Sequence, residues 1–144
     1  MDYETFVDTT TGIFNVAWLA GTTAIVGYVP KIYWQGVEPD QKLENDKFAV
    51  IVSQVGNDDQ QQAFGDRQKL YEIIGLVSIT IFCPQSDTKS MEKGRKLAIL
   101  VRDVYRGITE DGIHFTNTKI QEIEPVRKFN TFMVLTNYRY VERV

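Results

Sequence analysis

The residue types that most often carry chemistry are scarce in this sequence: one cysteine and one histidine in 144 residues. A single cysteine excludes an internal disulfide framework. Cys83 closes an apolar strand series, where it reads as a small buried side chain. The lone histidine, His114, sits beside Phe115 just past a glycine-containing turn. No HxH, HxxxH or histidine–cysteine spacing surrounds it, so it reads as structural or solvent exposed and gives no anchor for zinc. A GxSxG elbow, a GxxxxGK[ST] phosphate loop and a GxGxxG turn after a strand are all missing. The sequence therefore implies no catalytic residue, metal ligand or cofactor. Charge of one sign is also scarce: a formal net charge of -3 gives no support to nucleic-acid binding. Finally, there is no long hydrophobic run. The apolar stretch from Ile13 to Val29 contains Asn15, threonines and glycines and is too short and mixed to span a bilayer. Asp2 and Glu4 stand where a secretory signal would carry basic residues. The expectation is a soluble, non-enzymatic protein with no membrane role.

What is present fits one domain over residues 1–144. The composition is 43% hydrophobic and 24% charged, ordinary for a globular chain long enough to bury about two thirds of its unfolded surface. The stretch from Leu70 to Arg106 organises the rest. It begins LYEIIGLVSITIFCP, with Ile73, Val77, Ile79, Ile81 and Cys83 on one side of a strand and Ile74, Leu76 and Phe82 on the other. Apolar residues in both directions predict a central strand, which Pro84 ends. Met91, Gly94, Ala98, Val101, Val104 and Tyr105 then recur at helical spacing, predicting a helix that packs on the strand's sheet.

Upstream, residues 2 to about 19 form an amphipathic pattern, with Tyr3, Phe6, Val7, Phe14, Ala17 and Trp18 near one face and Asp2 as a cap. Thr9, Thr10, Thr11 and Gly12 are weak helix formers, so a kink or break is expected near the middle. A short strand follows at Lys31 to Gln35, then a polar connection from Gly36 to Asp46. FAVIVSQV, from Phe48 to Val55, is the second clear strand. Between it and the central strand lies GNDDQQQAFGDRQK, which is either a mobile loop or the projecting tip, near residues 56–69, of a two-stranded ribbon based on 48–55 and 71–82. The ribbon is the favoured reading. Phe64 is then a lone aromatic in a polar tip; it either meets another chain or folds back onto its own.

After the helix, Gly107 and the pair Asp111 and Gly112 mark turns. Ile113 to Val126 contains a strand interrupted by Asn117 and Thr118. A tight connection at Arg127 to Asn130 leads into the strand Thr131 to Val141, which completes a terminal hairpin. The predicted class is α+β: a mainly antiparallel sheet with a long hairpin, packed by an N-terminal helix and a central helix.

Charged clusters add little. Asp58 and Asp59 read as solvated turn residues, and Glu122 and Glu124 as one side of a strand that is either an exposed face or an interface. Lys93, Arg95, Lys96, Arg102 and Arg106 share the central helix with Glu92 and Asp103, the pattern of a solvated face. Two features lean toward assembly. Tyr138 and Tyr140 bring aromatics to the terminal strand, where an interface or a core explains them equally, and the long strands leave edges that need covering.

With these residues in view, the chain resembles the tail terminator proteins of long-tailed bacteriophages, the minor tail protein U-like family. The resemblance runs over most of the chain and is strongest from about Phe48 to Tyr105. It rests on the N-terminal helix, the short strand around Ile32 to Trp34, the FAVIVSQV and LYEIIGLVSITIFCP pair around a polar tip, the helix through GRKLAILVRDVY, and the closing FNTFMVLTNYRYV. It implies a homohexameric ring in the virion, assembled in the host cytoplasm, that caps the completed tail tube at its head-proximal end and meets the head connector or neck protein. The residues expected to make the contacts are Phe64, Asp66, Arg67 and Lys69 at the tip, with Tyr138 and Tyr140. The neighbouring expectation is a neck or head-completion protein, and a more distant one is a small-ligand-binding domain or enzyme with dispersed pocket residues around His114 or a carboxylate pair.

Overall fold

The computed structural model describes residues 1–35, 44–64 and 69–143, with side chains described for 1–35, 44–56 and 70–142. The chain folds as α+β, with a mostly antiparallel six-stranded sheet and helices on one side of it. In chain order the elements are α1 (Tyr3–Gly21), α2 (Thr23–Val26), β1 (Lys31–Trp34), β2 (Ala49–Phe64), β3 (Lys69–Pro84), α3 (Ser90–Tyr105), β4 (Thr109–Glu110), β5 (Ile113–Val126) and β6 (Phe129–Arg143). The spatial order is β1-β2-β3-β6-β5-β4. Among the described residues, only β1 and β2 run parallel. The predicted central strand, β3, lies between β2 and β6.

The expected break in the first helix does not occur: α1 is continuous from Tyr3 to Gly21. Its start is fixed by Asp2, whose Oδ1 accepts from the Thr5 N–H at 2.8 Å. Within the threonine run, the Thr11 hydroxyl donates to the Val7 carbonyl at 2.8 Å, so its polar group is satisfied without leaving the helix. Burial supplies the rest. Phe6, Thr10, Phe14 and Trp18, spaced by four, face the core, and packing of that face outweighs weak local propensity. Tyr3, expected near this face, is 59% exposed. The helix is anchored at its far end by the Trp18 indole, which donates to the Pro30 carbonyl at 3.0 Å.

The second long helix, α3, buries Ser90, Gly94, Leu97, Ala98, Val101 and Tyr105. It comes close to the sheet at Gly94, where a Cβ would meet the Phe132 ring at 2.5 Å and the Cys83 Sγ at 2.6 Å. Any side chain there would push the helix off the strands. The two long helices are joined through Tyr105, whose hydroxyl donates to the Thr10 carbonyl at 2.9 Å.

Register explains which side chains lie beneath the helices. Val50, Ile81 and Phe132 stand in one row across β2, β3 and β6, and Val52, Ile79 and Val134 in another. All six are buried. Tyr138 and Tyr140 share this parity and are likewise buried, at 2% and 1% exposure. They pack on the Phe6 ring, with centroids 4.4 and 4.5 Å away. This corrects the expectation that they meet another chain: α1 takes up their surface within the fold. Gly75, opposite Tyr138, leaves room for that ring, because a Cβ there would collide with the tyrosine hydroxyl and the Val55 carbonyl.

The interruption at Asn117 and Thr118 is a bulge within β5: Asn117 has a φ of 53°, and the register with β6 shifts between Thr116 and Lys119. A second shift falls between Ile123 and Val126, around Pro125. The turn into β6 places Arg127 at a φ of 54°. Among the described residues, no helix is long and apolar enough to cross a membrane.

Candidate functional site

The chemistry-bearing side chains do not converge. His114 is exposed, and its Nδ1 lies 3.1 Å from the Thr109 hydroxyl across the β4–β5 pair. Cys83 is buried, and loss of hydration pushes its thiol up to about 12, well away from a reactive thiolate. Burial likewise raises Tyr105. Glu122 pairs with Arg95 at 3.5 Å between exposed side chains. Among the described residues, no group of three histidines, cysteines or carboxylates could hold a metal ion.

Basic residues of α3 are matched by carboxylates. Lys93 reaches Asp87 at 2.8 Å, Lys96 reaches Glu92 at 3.5 Å, and Arg102 reaches Asp103 at 3.3 Å. Asp87 also accepts the Lys89 N–H at 2.8 Å. The Lys93 hydrogen bond, then that backbone bond, hold the Asp87 carboxyl below its ordinary range. The Asp87 contacts fasten the turn before α3, and the pairs together leave little uncompensated positive charge along it.

The two faces of the sheet differ sharply. Beneath α1 and α3 the side chains are close packed. On the other face no described element covers the strands. Ile51, Thr80 and Met133 form one row there, Ser53, Ser78 and Leu135 the next, and Val55, Leu76 and Asn137 the third. Val55 is 52% exposed and the rest of these are half-buried. Ile74 and Val141 extend the apolar content toward the far end of β3 and β6. Where the Asn117 bulge lifts β5, a depression of about 510 Å³ opens on this face, lined by Leu76, Asn117, Thr118, Lys119, Leu135 and Asn137. It is a surface that neighbouring side chains can occupy, with no fixed charge pair or nucleophile in it.

A second, smaller cleft lies at the opposite edge of the sheet, between α1 and the end of β1. Its volume is about 220 Å³ and its walls are Val7, Thr11, Trp34, Gln35, Val52 and Gln54. Gln54 is 8% exposed, and its side-chain Nε2 has no hydrogen-bond partner among the described residues. The Gln54 backbone N–H donates to the Gln35 Oε1 at 2.7 Å.

Of the residues expected at a contact surface, Phe64 and Lys69 are opposed in register at the far end of the β2–β3 pair. Asp66 and Arg67 lie outside the described residues, as do the side chains of Phe64, Lys69, Asp58 and Asp59. Sequence reasoning did not single out the uncovered face or Gln54. The face was visible as the second apolar set of β3 together with Met133 and Leu135 on β6. Gln54 gave no signal, because its burial depends on where α1 crosses the sheet.

No protein-family model matches the chain, and no curated protein matches it in sequence. Eleven chains of solved structures match its fold. One of them superposes with a TM-score of 0.56 at 12% identity, over 92% of this chain and 94% of that one. A likeness at that identity concerns the fold alone.

Proposed function

We propose that the protein is a structural virion component that forms a ring at the head-proximal end of a phage tail tube, stops tube polymerisation and offers the surface to which the head or connector attaches. The observation that carries this reading is the sheet with helices on one face and a half-buried face of aliphatic and hydroxyl side chains left open on the other. A surface of that kind gains by meeting another protein. The likeness of the sequence elements to tail terminator proteins gives the partner its class. The mechanism is geometric. A ring of identical subunits repeats the same surfaces around an axis, and occupying the growing face of the tube ends its extension.

In this reading β2 and β3 form a long hairpin whose tip, near residues 56–69, reaches a neighbouring subunit or the tube, with Phe64 as its apolar contact and Asp66, Arg67 and Lys69 setting register through charge. The protein is not an enzyme and needs no cofactor. The ring is a homohexamer, and its partners are the tail tube protein and the connector or neck protein.

Electron microscopy of the purified protein mixed with tail tube protein tests the assignment: rings seated at tube ends are expected. Tubes of unchanged length with bare ends would refute it. A protein that instead binds isolated connectors would move the assignment to neck or head completion. Phe64→Ala should reduce ring or tube-end assembly while leaving the melting temperature nearly unchanged, and an equal loss of both would remove Phe64 from the contact.

A further inference from the structure

Among the described residues, the cleft beside Gln54 combines an unmet hydrogen-bond donor with a strand pair that stops at Val52. β1 covers β2 only from Ala49 to Val52. Beyond Val52 the outer edge of β2 has no strand partner among the described residues. Along a strand the N–H and C=O of one residue point to the same edge, and those of the next point to the other. The Gln54 N–H turns outward and is met by the Gln35 side chain at 2.7 Å. A side-chain carbonyl thus occupies the place a strand's carbonyl would take. The backbone groups of Gly56, two residues on, share that outward direction. The Gln54 side chain, on the helix side, lines a cleft with Val7, Trp34 and Val52, and its Nε2 is buried without a partner among the described residues.

The chemistry of the missing group follows from the walls. A buried amide N–H without an acceptor is costly, so the occupant brings one. No charged side chain is among the described walls, so a neutral carbonyl fits better than a carboxylate. The Thr11 hydroxyl already donates to Val7 and Asp8 carbonyls, which leaves its oxygen free to accept. A volume of about 220 Å³ is small for a cofactor and suits one large apolar side chain. A donor and an acceptor beside an apolar slot, at an open strand edge, match an extended peptide.

We propose that β2 binds an extended peptide of a partner protein along its outer edge. The peptide's backbone pairs with Gln54 and Gly56 in place of Gln35, one apolar side chain enters the Val7–Trp34–Val52 slot, and a peptide carbonyl accepts from the Gln54 Nε2. This site is independent of the ring reading and lies away from the uncovered sheet face.

The test is an NMR titration of the isotope-labelled protein with a short blocked peptide alternating leucine and threonine, beside N-acetyl-leucinamide as the single-residue probe. Saturable shifts are expected at the Gln54 side-chain amide, the Trp34 indole and Val7, with the peptide binding about tenfold tighter or more because it also uses the edge. Gln54→Leu should weaken the peptide about tenfold without lowering the melting temperature, since it also removes an unmet polar group. Gln35→Ala should tighten the peptide, because it removes a competitor for the Gln54 N–H. Absence of saturable shifts, or unchanged affinity in Gln54→Leu, would overturn the site. N-acetyl-leucinamide binding as tightly as the peptide, or Gln35→Ala leaving peptide affinity unchanged or weaker, would overturn the strand pairing.

Discussion

One face of the sheet is a core and the other is a surface, although both are built from the same strands. On the covered face, Phe132, Ile81 and Val50 sit in one row at 1% exposure or less. On the open face, the row holding Ile51, Thr80 and Met133 is only half-buried. Alternation along a strand divides side chains into two sets, but it does not say which set a helix will cover. That choice is made by α1 and α3, whose own stripes carry Phe6, Phe14, Trp18, Leu97 and Val101. Aromatic bulk from the helices is matched to aromatic bulk on β6, and the aliphatic and hydroxyl set is left outside.

Substitutions across this divide should differ in size. Phe132→Ala removes a ring packed against Gly94 under α3 and should cost about 3–5 kcal/mol, read as a lower denaturant midpoint with an unchanged slope. A loss near that of a surface site would break the distinction between the faces. Thr10→Val works in the opposite direction. The Thr10 hydroxyl is buried without a partner among the described residues, so an isosteric apolar side chain should stabilise by about 1 kcal/mol. Destabilisation in thermal melts would mean that the hydroxyl is satisfied in solution.

On the open face, Leu135→Thr keeps strand propensity and should change monomer stability by under about 1 kcal/mol. The same measurement would merge the two faces if it found a core-sized loss. Smallest is Asp87→Asn at the partly exposed Lys93 pair, worth at most about 1 kcal/mol. The Asp87 carboxyl is held below its ordinary value in the fold. Its stabilisation is therefore present above the unfolded-state pKa, about 3.9, and is lost as pH falls through the folded value. The gap between wild type and Asp87→Asn should be full at neutral pH and close under acid; a gap that widens under acid would reverse the assignment.

Much of the fold was legible in local pattern. The alternation from Tyr71 to Cys83 placed the central strand, the spacing from Met91 to Tyr105 placed α3, and Arg127 to Asn130 marked the turn into β6. The failures share a cause. Thr9 to Gly12 looked like a break because propensity is local, while the burial of Phe6 and Phe14 that holds α1 together is set by distant strands. Tyr138 and Tyr140 looked equally suited to an interface or a core for the same reason: their parity with Phe132 and Val134 was readable, but the identity of the covered face was not. The candidate site was the least legible part, because an uncovered face and a stranded glutamine amide are defined by what other elements leave undone.

Native mass spectrometry of the wild-type chain and Leu135→Glu, compared at matched thermal stability, tests most directly whether the open face is an assembly surface. If the open face has that role, the wild type is a closed oligomer, six-membered by the ring reading, and the variant is a folded monomer. A wild-type monomer, or a Leu135→Glu chain that assembles as the wild type does, would contradict it.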